Sequence, residues 1–263
     1  MDARRLPARH GALWLLAGFA LFRRHPPLMT AITFGYLLAV VVVNLVPKIG
    51  PFLLPLILPT LTVMLANGCR AIERGKAFES DTLITGISEQ HVGLIRLGGL
   101  HLVGSSLLVL FGFALGEPIN ISDGIDHAEA VELAADLAVI LLMASPLLMA
   151  FWFAPLLTAW DGVSAGKSLF FSFIASWRNW RAFTVYALVL VLVGAVLPGL
   201  ILIIAGVLSQ ALLTILSVAL RMLLIFVLAP TMVASVYLSY RDVFAAVAPE
   251  PAPPDAAPAP PDE

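Results

Sequence analysis

Charge is scarce in this sequence. Only 12% of its 263 residues are Asp, Glu, Lys or Arg, against about 25% in a soluble domain. With 60% apolar residues and a mean hydropathy of +0.97, a soluble chain would leave large greasy patches in water, so the bilayer is the solvent that fits. Cysteine is all but missing: Cys69 stands alone, which excludes an internal disulfide and a cysteine-based zinc cluster. Strands reading apolar and polar every second residue are absent, which excludes a β-barrel. The five histidines are scattered, with no HExxH and no paired His–carboxylate spacing, so neither a metal site nor a cofactor is expected. No nucleophile stands beside an acid–base pair, so the chain does not read as an enzyme. A net charge of −2 speaks against a nucleic-acid partner.

What the sequence has is long apolar runs. A spanning helix needs about 20 apolar residues to cross about 30 Å of hydrocarbon. Six runs qualify, at about 28–46, 51–69, 97–115, 134–157, 182–204 and 222–240. The expected fold is an all-α polytopic membrane bundle of about six transmembrane helices plus interfacial amphipathic helices, occupying residues 1–245. Apart from Val247, residues 246–263 are Pro, Ala and acid, with no apolar face to bury, and read as a disordered cytoplasmic tail. Nearly all the basic residues fall in alternate gaps, Lys48 and Arg221 being the exceptions. Arg4, Arg5, Arg9, Arg23 and Arg24 precede the first span; Arg70, Arg74, Lys76 and Arg96 follow the second; Lys167, Arg178 and Arg181 follow the fourth; Arg241 follows the sixth. The positive-inside rule then places both termini in the cytoplasm of a bacterial inner membrane. The longest outer loop, Glu117–Ala130, carries Glu117, Asp123, Asp126 and Glu129 and no Lys or Arg.

The first apolar stretch, ending near Gly18-Phe19-Ala20, loosely fits a signal peptide. It runs straight into Arg23-Arg24-His25-Pro26-Pro27 and the first span, however, and is expected to stay. The stretch before the sixth span needs separate treatment. Gln210, Thr214, Ser217 and Arg221 share one helical face, so 206–220 reads as an interfacial helix with Arg221 at the outer end of the span. There Arg221 snorkels to the headgroups or is an intramembrane charge in a substrate path. The chain also reads as a three-fold internal repeat of helical hairpins, each led by an interfacial helix. The clearest leader is Lys167–Trp177, with Phe170, Phe173, Ile174 and Trp177 on one face and Ser168, Ser172 and Ser176 on another; Phe78–Ile95 is the middle one. Pro59, Pro155 and Pro230 kink the second span of each pair.

Arg23, Arg24, Lys167, Trp177, Arg178, Trp180 and Arg181 combine aromatic and basic character beside a span, and are the candidate inner-leaflet lipid contacts. His101 and Arg221 are the candidate intramembrane polar positions. His101, near Ser105 and Ser106, serves as a polar contact between helices or in a proton relay. Asn44 and Asn67 read as cross-links between helices. The Gly162–Ser168 stretch ends in Gly-Lys-Ser like a phosphate-binding loop, but Asp161 stands where that loop needs glycine and a span precedes it. It reads as a helix turn punctuated by Gly166. Asn120-Ile121-Ser122 is a sequon by pattern alone.

Three stretches, GALWLLAGFALFRRHP, PLLTAWDGVSAGKSLFFSF and LAPTMVASVYLSYRDVF, together resemble a bacterial family of six-span inner-membrane proteins of unknown function. That family is distantly similar to the membrane domain of some glycerophosphodiester phosphodiesterases. The similarity covers nearly all of residues 11–244, with Tyr240–Phe244 its most distinctive motif. It implies the six-span fold and brings no catalytic residues; no phosphodiesterase segment is among the 263 residues. The expected function is a non-enzymatic envelope protein that interacts with membrane lipids, with other membrane proteins or with its own copies. The alternative is a transporter of a small solute or lipid, suggested by the repeats and kinked helices.

Overall fold

The computed structural model describes residues 3–75, 80–115 and 127–244. These form ten helices, with no strand among the described residues: α1 His10–Phe22, α2 Pro26–Asn44, α3 Gly50–Glu73, α4 Ser80–Ile84, α5 His91–Leu115, α6 His127–Trp152, α7 Ala154–Asp161, α8 Ala165–Arg178, α9 Trp180–Leu208 and α10 Gln210–Phe244. Six segments are long and apolar enough to cross a membrane: α2, α3, α5, the kinked Ala138–Asp161 segment, α9 and α10. The tail, most of the acidic loop and the sequon lie outside the described residues.

Local chemistry explains several boundaries. The His25 ring accepts the Leu28 N–H at 3.4 Å and Pro26 supplies a preset φ at the start of α2. Gly162, with φ 63°, closes α7 in the left-handed conformation. The expected punctuation at Gly166 is therefore misplaced by four residues; Gly166 lies inside α8 with open space around it. Prolines in the long helices are absorbed in different ways. Pro198 and Pro230 each follow a π-helical turn, Leu192–Val196 and Leu224–Leu228. Such a turn reroutes the hydrogen bonds around the missing N–H.

Three expectations are corrected. The interfacial helix at 206–220 does not exist as a separate element. The chain breaks at Ser209, whose Oγ caps the Leu212 N–H at 3.1 Å, and runs helical from Gln210 to Phe244. The first turns of α10 pack against the end of α9. Nor is Phe78–Ile95 one helix, because Gly86 adopts φ 76° and divides α4 from α5. Asn67 does link helices, its Nδ2 donating to Leu83 O and Thr85 O at 2.9 Å; Asn44 only bonds Val40 O in its own helix.

The core sits toward one end of the bundle, the end where the basic gaps lie. Trp14, Met29, Val63, Leu94, Phe153, Leu156, Leu157, Tyr186, Ala234 and Val243 are all buried there. Toward the other end Val41, Val42, Leu110, Phe113, Leu141, Leu142, Ile203 and Val207 are exposed. Such faces are stable in a bilayer because lipid tails solvate them as well as a neighbouring leucine does. At the core, α1 is wedged between α9 and α10 rather than lying beside the bundle. Gly11 and Gly18, two turns apart, bring the backbones together: a Cβ at Gly11 would fall 2.1 Å from Ala182 O, and one at Gly18 2.6 Å from Thr231 O. Between them Trp14 is enclosed by Phe183 and Tyr186 and donates its Nε1 proton to Asp242 Oδ2 at 3.2 Å.

Candidate functional site

The amphipathic helix α8 packs against α6 and α7. Its serine face is turned inward. Ser172 Oγ accepts the Phe153 N–H at 2.9 Å and donates to Met149 O at 2.8 Å. These two backbone groups would bond each other in an unbroken helix. Pro155 forces the break between α6 and α7, and the Ser172 hydroxyl is inserted into the gap. Ser168 accepts from Thr158 Oγ1 at 2.9 Å, and Ser176 adds a longer bond of 3.3 Å to Met149 O. The other face looks outward, with Phe170 61% and Trp177 60% exposed. Asn179 ends the helix and ties down the N-terminal segment, accepting from Leu6 N and donating to Arg4 O.

The expected lipid contacts are all exposed. Lys167 and Arg178 are exposed near its two ends, and Arg181 lies over the Trp180 ring at 5.6 Å. Arg23 lies over Phe19 at 5.9 Å, and Arg24 donates to Glu73 O at 3.2 Å. His101 and Arg221 are not brought together with them or with each other. His101 stacks on Phe151 with ring centroids 4.5 Å apart, where α5 passes α3 so closely that a Cβ at Gly98 would lie 2.3 Å from Leu56 O. Its environment is that of a contact between helices. Arg221 is exposed on α10, and the polar groups near it, Thr214 and Ser217, bond their own helix.

A second constellation was not anticipated. The ends of α3, α7 and α10 meet around a cavity of about 450 Å³. Tyr237 donates to Glu73 and Tyr240 to Asp161, while Arg241 pairs with Glu73 and, at 2.8 Å, with Asp242. Trp160 stands between the tyrosines, 6.1 and 5.2 Å from their rings, and donates to Asn67 Oδ1 at 2.9 Å. Arg70 sits over the Trp160 ring at 4.9 Å. Arg74 and Glu89 line the same cavity. The pairs join residues 164 and 79 positions apart in sequence, so no local pattern reveals them. The available signals were the Tyr240–Phe244 motif and Trp160-Asp161, both set among apolar spans. Among the described residues no three His, Cys, Asp or Glu side chains converge as metal ligands.

Six apolar helices around a tightly packed basic end define a multi-pass, all-α integral membrane protein. A probable inner membrane protein of Burkholderia thailandensis is 37% identical over 200 residues, covering 69% of this chain and 72% of that protein. The chain belongs to the same family as that protein. No family model matches the chain, and no solved structure matches it.

Proposed function

We propose that this is a non-enzymatic, lipid-interacting protein of the bacterial inner membrane, with its basic end and both termini on the cytoplasmic side. The observation that carries the reading is α8. Its polar face is consumed by bonds to α6 and α7, so its exposed aromatic face and flanking Lys167, Arg178 and Arg181 are left to meet the membrane surface. Each Lys or Arg near an anionic surface contributes about 1 kcal/mol, so three together contribute roughly 3 kcal/mol if independent. Replacing Lys167, Arg178 and Arg181 with Gln is expected to weaken co-purification of anionic lipid while sparing insertion. Unchanged lipid retention at equal detergent and salt would assign these charges to topology alone.

The orientation has its own test. A phosphatase fused at Asp123 is expected to be active and one fused at the C-terminus inactive, since the enzyme matures only outside the cytoplasm. An active C-terminal fusion would invert the map drawn from the Lys and Arg distribution.

A further inference from the structure

We propose that the open cavity at the ends of α3, α7 and α10 binds a phosphoethanolamine group, its phosphate held by Arg70 and Arg74 and its ammonium by Glu89 and Asp161. The inference rests on the lipid-interacting reading but on different residues, so the two fail separately. Two of the six charged side chains that line the cavity are already committed to each other. Arg241 is paired with Glu73 and Asp242, and Glu73 also receives the Tyr237 hydroxyl. Four charges are left. Among the described residues neither Arg70 nor Arg74 has a carboxylate within ion-pair distance. Arg70 lies in the last turn of α3 and Arg74 is the residue that follows it, and Arg70 is held in place over Trp160. Asp161 receives the Tyr240 hydroxyl on Oδ2 only, which leaves Oδ1 able to accept. Glu89 is exposed and makes no side-chain hydrogen bond among the described residues.

Two cations and two anions lining one cavity select for a ligand that carries both signs. A purely anionic headgroup would gain the arginines and be repelled by the carboxylates; a simple amine would meet the reverse. The C-terminus of α3 contributes about half a negative charge, which two guanidiniums outweigh. The cavity, about 450 Å³, falls within the range of about 300–1,000 Å³ typical of small-molecule sites. A phosphate and an ammonium joined by a two-carbon link occur both in the headgroup of a phospholipid and in free phosphoethanolamine, and the same side chains would serve either.

Native mass spectrometry of the detergent-purified full chain, offered equal dioleoyl phosphatidylethanolamine and dioleoyl phosphatidylglycerol, tests the site. The wild type is expected to retain the ethanolamine lipid by about threefold, the scale of one partly exposed ion pair. Arg74→Gln and Arg70→Gln should lose that retention. Glu89→Gln removes one of the two ammonium partners, leaves both arginines in place and should turn the preference toward phosphatidylglycerol. Arg74 and Glu89 are both exposed, so their variants report on binding rather than folding. The Lys167, Arg178 and Arg181 triple variant should keep the ethanolamine preference. Displacement of the lipid by millimolar phosphoethanolamine would identify the free compound as the ligand, and resistance to it would identify the lipid. A wild-type preference for phosphatidylglycerol, or a Glu89→Gln preference identical to wild type, would overturn the proposal.

Discussion

Gly11→Ala is expected to destabilise the bundle by about 3 kcal/mol, the upper part of the range for overpacking a tight contact. The added methyl would lie 2.1 Å from Ala182 O and 2.6 Å from Tyr186 N. Both are backbone atoms of α9, so no side chain can swing aside, and α1 must move as a whole. That movement would also pull Trp14 from Phe183, Tyr186 and Asp242. Thermal unfolding in detergent should show a fall of roughly 10 °C, since 1 kcal/mol shifts the midpoint of a protein of this size by about 2–4 °C. Gly99→Ala is the matched control. Nothing lies within 4 Å of a Cβ there, and alanine is the better helix former by about 1 kcal/mol. A Gly11→Ala midpoint equal to wild type would show that α1 is not packed as described.

Ser172→Ala should be similarly damaging for an unrelated reason. It deletes one oxygen and strands two buried backbone groups, the Phe153 N–H and the Met149 carbonyl. Each unsatisfied group costs about 1–3 kcal/mol, and no water reaches a membrane bundle core to repair it. The weak 3.3 Å bond from Ser176 leaves Met149 O partly satisfied, which brings the expected total to about 3 kcal/mol. Ser176→Ala should cost about 1 kcal/mol or less, because Met149 O keeps its Ser172 partner. Measured side by side, equal midpoints for the two variants would refute the inserted-hydroxyl description. Ser164→Ala serves as a further control, since that side chain caps nothing.

The same serine shows how far sequence reading reaches here. Ser168, Ser172 and Ser176 were legible as one face of one helix, and the aromatic residues as another. Which face packs inward was not. In water the apolar face of an amphipathic helix goes in. In a membrane protein the hydrocarbon accepts that face, and small polar side chains serve as the packing surface between helices. The first apolar stretch was open to the same ambiguity: it is too short to span, and only the close approaches at Gly11 and Gly18 show it to be a wedge between α9 and α10.

The sequence by itself determined the solvent of this protein, its all-helical class and six membrane-length segments, and the gathering of its positive charge in alternate gaps. Those properties follow from composition and run length, which act locally and need no partner. The tertiary structure decided the rest: the uninterrupted α10 through Arg221, the repaired break at Phe153, and the cavity where Tyr237 and Tyr240 meet Glu73 and Asp161. Each of these depends on backbone groups or charges finding partners far away in the chain. In a bilayer such pairing, rather than the burial of apolar surface, distinguishes one helix arrangement from another.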